Sequence, residues 1–312
     1  MLKTIKYKKT GFDEINEIDF AINLRNFLLL GCSKVTIKRI YHGSVNRNFK
    51  IITNKETYFC KVGPLWYEGS LHRESWALKT IRQIGCNVPN IIMYLNKTNK
   101  VLPGHEVLLL EYVDGELLAN KDNMKNYYSK IIALYNSIHS ISMEKYGWLD
   151  ERFIGKNKNW LDFLLQIENE KTINQLGSVW KDNLSFVRNK IKNCNYGDVS
   201  GKLLYGDFNY YNFIVNKEDN VVAFDFQNCF SGDPLYDVGI IFAKDSNFEK
   251  YLHYFNTFDF VYKEDKRKLI FLYSLRCLFS MISFYATTKN QERISFAKNR
   301  FIEIRRLYDK YY

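Results

Sequence analysis

Apolar and polar residues alternate with a period of two through much of the first third of the chain. KVTIKRI (34–40) and NFKIIT (48–53) read as strands, joined through the Gly-containing stretch His42, Gly43, Ser44, Val45, Asn46. TYFCKV (57–62) reads as a third strand, with Lys61 near its end among apolar neighbours. The period then changes: in LHRESWALKTIRQI (71–84), Leu71, Trp76, Leu78 and Ile81 recur at helical spacing, and Glu74 lies early in that helix. LLLEYVDGE (108–116) is an apolar strand that stops at Glu111 and breaks at Asp114 and Gly115, as a connection between two lobes would. Helical patterns dominate from there on, as in 127–141 and 269–286, interrupted by a hairpin in which Phe213, Ile214 and Val215 face Val221 to Phe224. If Lys217 to Asn220 form its loop, Asn216 pairs with Val221, Ile214 with Ala223 and Asn212 with Asp225.

That register carries chemistry. Opposed residues of an antiparallel pair have Cα atoms roughly 4.5–5.5 Å apart. An amide oxygen and a carboxylate at that separation can share a hard cation, and Mg²⁺ on a nucleotide fits the description. Asp207, five residues before Asn212, adds an oxygen that can accept a substrate hydroxyl proton. Taken singly, each of the three is an ordinary turn residue. Their order, an Asp, an Asn five positions on and an Asp thirteen after that, is the order of the protein kinase catalytic loop and the Asp that follows it. Upstream, a Lys on a strand (Lys61) and a Glu on the next helix (Glu74) can pair so that the ammonium faces nucleotide phosphates, the alternative being an inconsequential surface ion pair. Gly43 and Ser44 would lie in a phosphate-covering hairpin, although a plain β-hairpin turn is the more frequent explanation of such a stretch. The backbone of Glu111 and Val113 would meet the edge of an adenine.

On Lys61, Glu74, LLLEYVDGE, GDFNYYN, AFDFQ and GDPLYDVG, spanning about residues 34 to 244, the chain resembles the aminoglycoside phosphotransferase and choline kinase group. The resemblance implies a two-lobed α+β, protein-kinase-like fold. Residues 1–113 would form an N-terminal lobe of antiparallel sheet plus helix, and 114–312 a mostly helical C-terminal lobe. It implies Asp207 as catalytic base, Asn212 and Asp225 as Mg²⁺ ligands, ATP or GTP as donor and a structural role for Asp237. YGWLDERFIGKNKNWLDFLL (146–165) is similar to a segment of hygromycin-type antibiotic kinases. Two departures stand out: Tyr205 replaces the usual His before Gly-Asp, and Gln227 and Asn228 follow Asp225-Phe226 with no Ala-Pro-Glu beyond, against a protein kinase with an activation loop. The implied function is phosphorylation of a hydroxyl on a small molecule, an aminoglycoside-type antibiotic first of all. The alternatives are a metabolic kinase for choline, an amino sugar or a related alcohol, and a catalytically silent nucleotide-binding regulator. The complete set Lys61, Glu74, Asp207, Asn212 and Asp225 weighs against the last.

Composition narrows the partners. The net charge of +11 invites nucleic acid, but the basic residues are dispersed among acids, so no nucleic-acid partner is expected. The basic N-terminus lacks an apolar core, which is not a secretory signal, and the expected location is cytoplasmic. The apolar run 269–286 has Arg276 near its middle, so a buried helix rather than a membrane span is expected. The six cysteines show no metal-binding spacing and read as reduced thiols, and His139 reads as a packed residue. A polycationic acceptor would need carboxylates, for which Asp162, Glu168, Glu170, Asp233, Asp259, Glu264 and Asp265 are candidates.

Overall fold

The computed structural model describes residues 17–28, 35–41, 45–65, 67–167, 170–245 and 264–312. In chain order the first elements are α1 (Glu17–Leu28), β1 (Val35–Ile40), β2 (Arg47–Thr53), β3 (Thr57–Val62), α2 (Ser70–Gln83), β4 (Ile91–Leu95), β5 (Val107–Glu111) and β6 (Gly115–Leu117). Then follow α3 (Tyr128–Ser140), β7 (Tyr146–Leu149), β8 (Gly155–Asn157), α4 (Trp160–Leu165), α5 (Glu170–Asn174), α6 (Ser178–Lys192) and β9 (Lys202–Leu204). The last are β10 (Phe213–Asn216), β11 (Val221–Ala223), β12 (Phe230–Gly232), α7 (Leu235–Lys244), α8 (Glu264–Thr287) and α9 (Gln291–Tyr311). The chain forms two compact units, Met1–Lys121 with Tyr211–Asn228, and Asp122–Tyr210 with Cys229–Tyr312.

The first unit is built on an antiparallel sheet in the order β1-β2-β3-β5-β4. Its strands alternate as the sequence pattern requires: Phe49, Ile51, Cys60, Val62, Val107 and Leu109 are buried together with Phe20 and Leu24 of α1. Lys61, between Cys60 and Val62, therefore projects from the opposite face, where it meets Glu74 of α2. A second sheet, β11-β10-β6, completes the unit. Here Gly115 is required by space, since a Cβ on it would sit 2.4 Å from the Val215 carbonyl oxygen.

The hairpin register differs from the expected one by a residue. Phe213 faces Ala223, Ile214 faces Val222 and Val215 faces Val221, and the Phe224 amide donates to the Asn212 carbonyl at 3.1 Å. The cause lies in the loop. Asp219 takes a left-handed conformation (φ 59), and Asn216 accepts the Asp219 amide on its carbonyl and the Asn220 amide on its side chain. Asn216 thus belongs to the turn rather than to a Val221 pair. Asn212 consequently stands opposite Phe224 rather than Asp225.

The second unit combines a four-stranded sheet, β8-β7-β12-β9, with helices α3 to α9. Its α8 is long and apolar enough to cross a membrane, yet 67% of the qualifying window is buried within the protein. On this helix Arg276 is hydrogen-bonded within the protein. Its guanidinium donates to the carbonyls of Phe163, Leu164 and Gln166 at 2.9 to 3.0 Å and to the Tyr236 hydroxyl, so four hydrogen bonds meet the buried charge at the open end of α4. The described cysteines, Cys60, Cys86, Cys194, Cys229 and Cys277, are free thiols.

Candidate active site

In the first unit β3 and α2 bring together the charges that the sequence pattern predicts. Lys61 Nζ lies 2.8 Å from both Glu74 carboxylate oxygens and 2.7 Å from Asp225 Oδ1. This is no surface pair: Lys61 is 3% exposed and Glu74 fully buried. The Asp225 amide also donates to Glu74 Oε1 at 3.1 Å, so one carboxylate holds both the lysine and the backbone of Asp225. Asp225 itself is held at φ 68, a conformation that costs a non-glycine residue about 1–3 kcal/mol and persists only where its surroundings enforce it. Burial alone would push the Lys61 ammonium down, but Asp225 and Glu74 outweigh it and hold its pKa above the usual lysine value. Burial raises that of Glu74 by more than Lys61, shared with Asp225, recovers.

One ammonium facing two carboxylates leaves the cluster with an excess negative charge. Asp225 Oδ2 has no protein hydrogen bond among the described residues, Oδ1 being committed to Lys61. Asn212, buried at the end of a 3₁₀ turn (Tyr210–Asn212) immediately before β10, carries a neutral amide oxygen. The described residues contain no cluster of three His, Cys, Asp or Glu that would cage a metal alone. A carboxylate plus an amide oxygen suits Mg²⁺, which keeps waters and takes its other ligands from nucleotide phosphates. The segment after Asp225 is clamped within the same unit: Asn46 Nδ2 donates to Gln227 Oε1 (2.8 Å), Arg73 to the Gln227 carbonyl (2.9 Å) and the Tyr67 hydroxyl to Asn228 Oδ1 (2.8 Å).

Of the remaining nucleotide-side candidates, Gly43 and Ser44 lie outside the described residues. Glu111 ends β5, its amide donating to the Asn90 carbonyl at 2.9 Å, and Val113 follows in the connector. Both line a cavity of about 390 Å³ with Arg82, Asn87, Asn216 and Val222, and that cavity touches none of Lys61, Glu74, Asn212 or Asp225.

Asp207 belongs to the second unit, on the loop after β9. Gly206 before it adopts φ 77, which a glycine tolerates without strain. The buried Asp237 of α7 fixes this loop, its Oδ2 accepting the Tyr205 amide at 2.8 Å and its Oδ1 the Gly206 amide at 2.9 Å. His139 of α3 approaches Asp237 Oδ2 through Nε2 at 2.9 Å, while its Nδ1 is buried without a partner, so Nε2 carries the donated proton. Tyr205, in place of the usual His, is buried edge-on against Tyr135, with ring centroids 5.8 Å apart. Asp207 Oδ1 is ion-paired with Lys244, the last residue of α7.

Sequence reasoning missed Lys244, because a lysine in the last turn of a helix reads as an ordinary complement to the helix dipole. It also missed that His139 supports Asp237. Asp233, considered as an acid for the acceptor, has a different task. It is buried, accepts the Leu235 amide (3.0 Å) at the start of α7 and the Tyr273 hydroxyl (2.8 Å), and burial raises its pKa. Asp162 is exposed in the first turn of α4; Glu168 and Asp259 lie outside the described residues.

A model of the phosphotransferase enzyme family matches residues 36–266. Curated protein sequences contain no match to this chain. Among solved structures, a thermostable mutant of aminoglycoside phosphotransferase APH(4)-Ia in ternary complex with AMP-PNP and hygromycin B is similar with a TM-score of 0.72 at 16% identity, over 91% of this chain and 98% of that one. LicA in complex with AMP is similar with a TM-score of 0.64 at 15% identity, over 96% and 100%. A putative fructosamine-3-kinase from Haemophilus somnus 129PT is similar with a TM-score of 0.62 at 18% identity, over 91% and 96%. At these identities the likeness establishes the protein-kinase-like fold.

Proposed function

The chain belongs to the phosphotransferase enzyme family, whose members here are small-molecule kinases, and on that premise we propose that it transfers the γ-phosphoryl of Mg²⁺-bound ATP, or GTP, to a hydroxyl of a small acceptor. The observation that carries the reading is the buried Lys61, held between Glu74 and Asp225. Burying the Lys61–Glu74 ion pair beside a third, partly exposed charge is costly and is often no better for stability than an apolar replacement, so the presence of these groups is accounted for by what they do to a ligand.

In the proposed reaction Lys61 offsets charge on the nucleotide phosphates, and Glu74 orients its ammonium. Asn212 and Asp225 would hold Mg²⁺, which when bound supplies further neutralisation of the phosphate oxygens. Asp207 orients the acceptor hydroxyl and takes its proton. The hydroxyl oxygen forms the new bond to phosphorus, and the bond to the β-phosphate oxygen breaks with its electron pair leaving on the nucleoside diphosphate. Backbone groups of Glu111 and Val113, with Gly43 and Ser44, are assigned to the nucleotide on the family resemblance. A cytoplasmic location accompanies this reading, since ATP is supplied there and free thiols stay reduced there.

An aminoglycoside-type acceptor is supported by the likeness to an enzyme captured with hygromycin B. A metabolic alcohol is the second reading, favoured by a specific observation: the catalytic carboxylate already carries a lysine. The test is a coupled ADP-release assay with Mg-ATP against aminoglycosides, hygromycin B, choline and amino sugars, with Asp207→Ala as control. Asp207-dependent turnover of one acceptor is the expected result. Nucleotide binding without turnover of any alcohol, here or in the wider panel below, would return the chain to the regulator class.

A further inference from the structure

The Lys244–Asp207 pair differs from an incidental helix-end contact in how it is built. Two carbonyls that flank Lys244 in the chain, those of Phe242 and Asp245, both accept from Arg300 Nη2 at 2.8 Å. Arg300 is buried and belongs to α9. A buried guanidinium is a costly way to finish a helix, and here it fixes the turn that carries Lys244. The adjacent carboxylate, Asp245, accepts the Tyr210 hydroxyl at 2.9 Å, so an acid next in sequence to Lys244 is tied to the catalytic loop's own tyrosine. Burial works against the Lys244 charge, but Asp207 outweighs it and holds the ammonium's pKa above the usual lysine value. The pair is nonetheless within reach of a ligand, the two side chains being 26% and 24% exposed.

We propose that Lys244 is a specificity-determining residue of the acceptor site, and that the acceptor carries an oxyanion, a carboxylate or a phosphate, close to its reacting hydroxyl. The proposal rests on the kinase reading, in which Asp207 takes the hydroxyl proton. When the hydroxyl occupies Asp207, the ammonium loses part of its carboxylate partner. An oxyanion a few bonds from that hydroxyl replaces the lost contact with a charge-assisted hydrogen bond. An ammonium at the same place on the acceptor meets a like charge instead. The unliganded pair is neutral overall, so it offers a polycation none of the attraction that an unpaired Asp207 would.

The experiment measures Asp207-dependent ADP release with Mg-ATP for two acceptor sets, in wild type and in Lys244→Met, Lys244→Arg and Lys244→Glu. The oxyanion set has a carboxylate arm, D-glycerate and related hydroxy acids, and a phosphate arm, D-ribose 5-phosphate and related sugar phosphates. The cationic set is choline, amino sugars and hygromycin B. Wild type is expected to turn over a member of the oxyanion set, and the arm it uses identifies the group. Lys244→Met should raise KM for that acceptor at least 10-fold while leaving KM for ATP within about two-fold, Lys244→Arg should recover most of the loss, and Lys244→Glu should shift preference towards the cationic set. Turnover confined to the cationic set, or an unchanged acceptor KM in Lys244→Met, overturns the proposal while leaving the kinase reading intact. An enzyme that binds Mg-ATP and releases ADP with neither set overturns both.

Discussion

Each unit places a lysine on a carboxylate, and the two pairs differ in enclosure. In the first, Lys61 is 3% exposed and bridges Glu74 and Asp225 in three contacts, with the Asp225 backbone tied to the same Glu74. In the second, Lys244 and Asp207 are about a quarter exposed and share a single contact, with the rigidity supplied from beneath by Arg300 and Asp237. In the proposed reaction the enclosed pair serves a partner that does not vary, the phosphates of the donor. The open pair suits the partner by which one small-molecule kinase differs from another.

The sharpest way to break this comparison is to remove the proposed base, Asp207. Asp207→Ala should lower kcat at least about 10³-fold while nucleotide affinity, read by fluorescent-nucleotide titration, stays within a few-fold. A variant that retained a tenth of the activity would remove Asp207 from the mechanism. Lys61→Met comes next. It leaves buried carboxylate charge uncompensated and should cost about 3–5 kcal/mol in urea unfolding, whereas Lys61→Met with Glu74→Gln should recover part of that loss without recovering activity. Equal destabilisation in single and double variants would show that the pair is not a coupled charge site.

Asp237→Asn turns a carboxylate that accepts two loop amides into a group with a donor of its own, at an expected cost of about 1.5–3 kcal/mol and a loss of kcat greater than the rise in KM. Full activity in this variant would mean that the Tyr205–Asp207 loop holds its shape unaided. Both enclosed and open lysines have raised pKa values, so the stability each contributes is complete below the ordinary lysine value of about 10.4 and is lost as pH climbs through the raised folded values. Urea midpoints attributable to the pairs should therefore hold to about pH 10 and then fall, less steeply in Lys244→Met. A fall specific to these lysines at pH 8 would contradict the sign of the shifts. The smallest effect belongs to the clamp after Asp225: Asn46→Ala removes one neutral hydrogen bond and should raise KM for ATP by roughly 5-fold with kcat nearly unchanged.

Much of this architecture could be read from the residues, and the failures share a cause. Strand β3 runs from Thr57 to Val62 as its alternation indicates, and Lys61 and Glu74 meet because a strand and the following helix leave them few other positions. The period-2 pattern specified which residues of the 213–223 hairpin were strand, but not the loop conformation that sets the register. That depended on Asp219 adopting positive φ, which Asp tolerates without advertising it. His139, Lys244 and Arg300 were not recognisable as supports of the Asp207 loop because their partners lie 98, 37 and up to 58 positions away in sequence, and no local period encodes such contacts. Asp233 was considered for the acceptor because its burial by Tyr273, 40 positions on, is equally invisible locally.

Arg276 has a consequence before the protein is folded at all. As α8 leaves the ribosome, its mean hydropathy of 1.6 over a window long enough to span a bilayer makes it a candidate for capture by the membrane-insertion machinery. One arginine at the centre of such a segment adds about 2.5–3.5 kcal/mol to the cost of insertion. The side chain that fills the carbonyl end of α4 in the folded protein therefore also raises the cost of placing α8 in lipid.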